Sequence, residues 1–273
     1  MIKEEMIAGL PAMKLHEAFR LLKIDCPVET ISEWALVNGI SIQELEDFNR
    51  LLGKIRDNLD AKRNTLLKEM SRIPQTDRKT FDNFETDRLS ADNNEMIQYL
   101  KSLDFLGIGE NIVIIGDPGT GKTHLAQAVG NLCVDMLIQV RYYKMSELEN
   151  RINKAISDGK ESSLTRNLLS VPCLIIDEVG YCKKLEQEAS NVFFQILDGR
   201  YDRRKGCTIF TSNKMPSEWK DMFSDSLLAR CALDRIMDRC VAIDMRGASY
   251  RGRGKRVFKL NISNPPEILG IGK

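Results

Sequence analysis

Beyond residue 110, short apolar runs alternate with longer amphipathic stretches. The first run, Asn111-Ile112-Val113-Ile114-Ile115, is rich in β-branched residues and predicts a strand buried on both faces. Helical composition follows from Thr123 to Cys133. Ile138–Tyr143 predicts a second strand, and Ser146 to Leu169 a helix opened by Ser146-Glu147-Leu148-Glu149. Cys173–Ile176, Cys207–Thr211 and Cys240–Asp244 predict three more strands, separated by helices over Glu186–Tyr201 and Asp225–Asp238. Strands spaced by helices of this length predict an α/β fold with a parallel, doubly wound sheet.

The pattern ahead of this region differs. Residues 1–73 show no strand periodicity and predict a small all-α domain. Thr30-Ile31-Ser32-Glu33 and Ser41-Ile42-Gln43-Glu44 both carry helix-start signals. Leu51 to Ile73 is charged and amphipathic, with apolar positions at Leu51, Leu52, Ile55, Leu59, Leu66, Leu67 and Met70. Such a helix either packs within its own bundle or offers an arm for a partner or DNA. Residues 74–80, polar and opened by Pro74, form the expected linker to an α/β domain over 81–246, and 247–273 form a basic tail.

Composition narrows the function classes. The 273 residues carry a net charge of only +1, so nucleic-acid contact has to come from local basic patches. Seven scattered cysteines with no C-x-x-C, and two histidines, give no zinc-ligand spacing. They suit a reducing compartment. The N-terminus has acids where a signal peptide needs an apolar run, and no stretch approaches the ~20 apolar residues of a membrane span. A cytoplasmic protein without membrane contact is expected.

The chemistry begins at Gly116-Asp117-Pro118-Gly119-Thr120-Gly121-Lys122-Thr123, a P-loop pattern set between the first strand and its helix. Its glycines let backbone N–H groups turn toward a phosphate chain at a helix start. Lys122 is expected at the β/γ-phosphates and Thr123 at Mg²⁺. Asp117 is expected to face solvent, because a carboxylate repels phosphate, and His124 to pack or hydrogen-bond beside the loop. The third strand ends in Asp177-Glu178, at the carboxyl edge where ligands sit in such sheets. Asp177 is a candidate for the Mg²⁺ shell and Glu178 for a general base on water. Asn213 reaches the γ-phosphate or that water if the fourth strand lies between the strands of the P-loop and Asp177; otherwise Asn213 is a turn residue. Asn213-Lys214-Met215-Pro216 begins like a guanine-reading motif, but Pro216 holds the acid position, which favours ATP over GTP.

The P-loop with His124-Leu125-Ala126, Ile176-Asp177-Glu178-Val179-Gly180-Tyr181, Arg200-Tyr201, Thr211-Ser212-Asn213, Glu218-Trp219, Leu233-Asp234-Arg235 and Gly247-Ala248-Ser249-Tyr250-Arg251 together resemble the IstB-like transposition helper ATPases. These are AAA+ proteins of the initiator clade, similar to DnaC-type helicase loaders. The resemblance implies an AAA+ ATPase domain without a full helical lid. It also implies ATP and Mg²⁺ as cofactors, a homo-oligomeric ring or spiral on duplex DNA, and a partner transposase. It places Arg235 at a neighbouring subunit's phosphates, with Arg230 and Arg239 as alternatives on the same predicted helix. DNA candidates are Lys183 and Lys184, the cluster Arg200, Arg203, Arg204 and Lys205, and the acid-free segment Arg246 to Lys259 with Arg251 and Arg253. The Ser146–Leu169 segment occupies the place of an extra DNA-facing helical element in that clade, with Lys154, Lys160 and Arg166 as its cations. A helicase loader is the nearest rival; a P-loop small-molecule kinase and a nucleotide-gated scaffold are the others.

Overall fold

A computed structural model describes residues 2–84, 91–182 and 184–245. Three helices come first: α1 (Ile2–Leu21), α2 (Val28–Val37) and α3 (Ile42–Ser71). Ser41 starts α3 with a capping box: Glu44 N–H donates to Ser41 Oγ, and Ser41 N–H to Glu44 Oε2 at 2.8 Å. The other expected cap is not one. Thr30 lies inside α2, which begins after extended Pro27, and Ser32 Oγ donates back to Val28 O.

Ala12, Leu15, Ile31, Ala35, Leu45 and Leu52 close a small core among these helices. The far half of α3 leaves that core. Leu67 and, just beyond the helix, Ile73 pack with sheet residues, and Asn64 Nδ2 donates to Val134 O at 2.9 Å. Packing onto the α/β domain thus begins within α3, ahead of the compositional boundary at residue 73. The linker residues are also docked: Asn131 Nδ2 donates to Lys79 O, and Arg78 pairs with Asp135 at 2.6 Å.

After α4 (Ala91–Ser102) and the single turn α5 (Phe105–Ile108) come β1 (Asn111–Ile115), α6 (Lys122–Asp135) and β2 (Val140–Lys144). The expected helix over Ser146–Leu169 is two, α7 (Met145–Ser157) and α8 (Glu161–Ser170). Gly159 at φ 62° breaks it, and Lys160 N–H closes the end of α7 on Ala155 O at 2.7 Å. Next are β3 (Cys173–Asp177), α9 (Gln187–Arg203), β4 (Cys207–Ser212), a 3₁₀ segment (Pro216–Met222), α10 (Ser226–Asp238) and β5 (Cys240–Asp244).

The five strands are all parallel, in the order β2-β3-β4-β1-β5. One face packs against α7 to α10 around Phe193, Phe210 and Trp219; the other packs against the end of α3, α4 and α6 around Leu100, Phe105 and Leu125. β4 therefore lies between the strands that lead into the P-loop and Asp177, which meets the condition set for Asn213.

Candidate nucleotide site

The carboxyl ends of β1, β3 and β4 converge on a pocket of ≈630 Å³. Its lining includes Gly119, Gly121, Lys122, Thr123, Asp177, Glu178 and Asn213. The loop after β1 turns on Gly116 (φ 147°), Gly119 (φ 83°) and Gly121 (φ 98°), conformations that side chains rarely adopt. Gly121 is the N-cap of α6. Lys122 Nζ donates to the carbonyls of Gly116 (2.9 Å) and Asp117 (2.6 Å), and Thr120 Oγ donates to Asp117 O. The side chain of Asp117 is exposed, as is Pro118.

Asp177 is fully buried at the end of β3 and accepts three hydroxyls. Thr123 Oγ reaches Oδ1 at 3.0 Å, Tyr142 Oη reaches Oδ2 at 2.6 Å, and Thr211 Oγ also bonds Oδ1. Burial, together with the Asp177 charge, pushes the Tyr142 phenol far above its ordinary range. Glu178, by contrast, is exposed and sits at φ 61°. Thr211 holds that turn: Glu178 N–H donates to its hydroxyl at 3.1 Å and Val179 N–H to its carbonyl at 2.8 Å. Glu178 Oε1 accepts from Lys144 Nζ at 3.0 Å.

Asn213 Nδ2 donates to Tyr181 Oη at 3.1 Å, so this amide is tied to the loop after β3. Trp219, buried beneath, donates from Nε1 to Ser212 Oγ. His124 faces the rim of the pocket, where Nε2 meets Thr80 O (3.0 Å) and Asn83 Oδ1 (2.9 Å) and its ring lies edge-on to Phe84. Burial draws its pKa below 6.5, more than the Thr80 carbonyl restores. Sequence reading missed Tyr142, Lys144, Tyr181 and the Thr80–Phe84 segment as site residues. Tyr142 and Lys144 come from β2 and Thr80–Phe84 from the segment before the α/β sheet, where no local spacing marks them; Tyr181 stands in the segment after Asp177-Glu178 but carries no signal of its own for this contact.

The arginines on α10 and at its C-cap stand differently from one another. Arg235 pairs with Asp198 of α9 and lies over the Phe194 and Tyr201 rings. Arg239 lies over Tyr201, with Asp238 at 3.7 Å. Arg230 is exposed and makes no ion pair among the described residues.

The basic patches do not form one surface. Lys184 is exposed on the carboxyl edge of the sheet, in the loop after β3. Arg203, Arg204 and Lys205 are exposed at the amino edge, where the chain enters β4. Arg200 leaves the cluster altogether. It is buried and donates to the carbonyls of Leu168, Val171 and Cys207 and to Thr208 Oγ, pinning the starts of β3 and β4. Lys183 and the tail with Arg251 and Arg253 lie outside the described residues. No described helix is long and apolar enough to cross a membrane.

Known proteins carry the same plan. Residues 20–257 match the model of the IstB-like ATP binding protein family. A Geobacillus stearothermophilus protein named for ATP binding and for insertion sequence IS5376 is 32% identical over 89% of this chain and 96% of its own length. A Pseudomonas aeruginosa counterpart from IS21 is 34% identical over 69% of each chain. Among solved structures, the DnaC helicase loader superposes with a TM-score of 0.52 at 20% identity, over 61% of this chain and 96% of that one. DnaA from Aquifex aeolicus bound to AMPPCP gives 0.53 at 23% identity, over 64% of this chain and about half (51%) of that one. The parallel sheet with its P-loop is the AAA+ ATPase fold of these replication proteins. With most of its length inside the family model, the chain belongs to the IstB-like ATP-binding proteins, as do its insertion-sequence relatives.

Proposed function

We propose that the protein hydrolyses ATP at this pocket and that its ATP-bound form assembles on duplex DNA to serve a partner transposase. The observation that carries the reading is the meeting of Lys122, Thr123, Asp177, Glu178 and Asn213 on one pocket floored by a P-loop. The loop N–H groups and the start of α6 receive the phosphates, and Lys122 exchanges its loop carbonyls for phosphate oxygens.

Thr123 and Asp177 suit Mg²⁺. One hydroxyl and one carboxylate, 3.0 Å apart, are a sparse set of hard oxygens, as fits an ion that keeps several waters and takes substrate phosphate. Mg²⁺ bound there would neutralise charge on the phosphates. Glu178 takes the proton of the attacking water once it parts from Lys144, and Asn213 donates to the γ-phosphate or that water. An arginine of α10 from a neighbouring subunit completes the charge balance. Arg235 matches the family position, but its pair with Asp198 has to break first, whereas Arg230 is already exposed.

The insertion-sequence relatives support a transposase client. The exposed stripe of Leu51, Ile55, Leu59, Leu66 and Met70 along α3 supports a docking role for the N-terminal helices. Turnover and sedimentation with duplex DNA test the whole reading. Glu178→Gln should keep ATP binding, lose about 100-fold or more in turnover and trap a DNA-bound oligomer. Unchanged hydrolysis would remove Glu178 from its role. A phosphorylated small acceptor in place of free phosphate would favour a kinase, and capture of a replicative helicase by residues 1–73 a helicase loader.

A further inference from the structure

A second cleft, of ≈610 Å³, opens beside the edge strand β2 and shares no lining residue with the nucleotide pocket. Its cations come from separate elements. Arg72 caps α3, Arg141 lies on β2, Arg151 and Lys154 on α7, and Lys160 precedes α8. Only Glu69 and Asp158 oppose them in the lining, and neither forms an ion pair with these cations among the described residues.

Arg141 is the informative member. It is 7% exposed, and its guanidinium donates to the adjacent Val140 carbonyl at 3.0 Å, with no carboxylate partner among the described residues. Arg72 and Arg151 both lie over the Tyr143 ring, at 5.2 and 5.6 Å from its centre. Burial, with the charges of Arg72 and Arg151, lowers the pKa of Arg141. A buried guanidinium beside two like charges is costly unless a counter-charge arrives. A single carboxylate occupies one guanidinium fork. Several forks converging from different elements match a tetrahedral oxyanion with more acceptors.

We propose that this cleft binds phosphate oxyanions, with Arg72, Arg141 and Arg151 as donors and Lys154 and Lys160 as supporting charges. The phosphate comes either from a nucleic-acid backbone or from a free polyphosphate, and the same variants separate the two.

Inorganic tripolyphosphate is titrated calorimetrically into Lys122→Ala protein, which disables the P-loop, with and without Arg151→Gln/Lys160→Gln. Both substituted side chains are exposed, so the melting temperature should hold; Arg141→Gln is the buried counterpart. Tripolyphosphate affinity should fall about tenfold or more in each variant. Labelled duplex DNA is then titrated across salt concentrations with the Lys122-intact variants. A backbone source predicts weaker DNA binding and a salt slope smaller by ~0.9 for each phosphate that the variant no longer neutralises. A free polyphosphate source predicts the same loss of tripolyphosphate affinity with DNA affinity and slope unchanged. Variants that bind both ligands like the parent would overturn the proposal, as would a parent that binds neither.

Discussion

The Thr211 hydroxyl ties together the two acidic residues of the nucleotide site: it donates to the buried Asp177 carboxylate and accepts from the backbone N–H of Glu178. Thr211→Val keeps the shape and removes both bonds. Its expected cost is about 1–3 kcal/mol in the melt, with turnover reduced far more than ATP affinity. Gly121 has a different constraint. Its φ of 98° strains any side chain, and an added Cβ would lie 3.1 Å from Phe84 Cε2. Gly121→Ala should therefore weaken ATP binding, measured with a fluorescent analogue. His124 adds a pH dependence. Its folded pKa lies below the ordinary 6.5, so the unfolded chain protonates first as the pH falls. The contribution of His124 is present above pH 6.5 and is lost as pH drops through the lower folded value. Denaturant midpoints across that range should fall in the parent and stay flatter in His124→Asn.

At the scale of elements, the site depends on where β4 enters the sheet. Between β3 and β1 it brings Thr211 to Asp177 and Asn213 to the P-loop side. Arg200 secures that placement from the other end by filling carbonyls at the starts of β3 and β4. Arg200→Met should leave those carbonyls unpaired and cost about 2–4 kcal/mol, lowering the melting temperature by about 5–15 °C. ATP affinity of the protein that stays folded should be unchanged. Strand and helix periodicity exposed the five strands and the helices α6, α9 and α10, but not α4, α5 or the 3₁₀ segment, which are short or lack a clear apolar stripe. The α7–α8 break escaped it because the turn is short and polar, like the helices on either side. The extent of α3 escaped it because one amphipathic stripe looks the same whether it packs in the helical bundle (Leu52) or on the sheet (Leu67).

For the whole molecule, the test is whether the site is shared between subunits. Arg230→Ala should leave the melt and ATP binding intact while lowering DNA-stimulated turnover by about 10³-fold. Mixed with Glu178→Gln subunits it should recover activity, since each variant supplies the group that the other lacks. Recovery with Arg235→Ala instead would return the role to Arg235 and require its pair with Asp198 to open on assembly. Strand–helix alternation, the P-loop, the Asp177-Glu178 pair and the family are legible in the linear chain, because each is written in residues near one another along it. Only the folded chain establishes that Tyr142 and Thr211 share Asp177, that Lys144 holds Glu178, that Arg200 is a buried pin, and that Arg72, Arg141 and Arg151 meet at one cleft. Those relations join residues from different elements, and only the order of strands and the packing of helices on their faces bring such side chains within bonding reach.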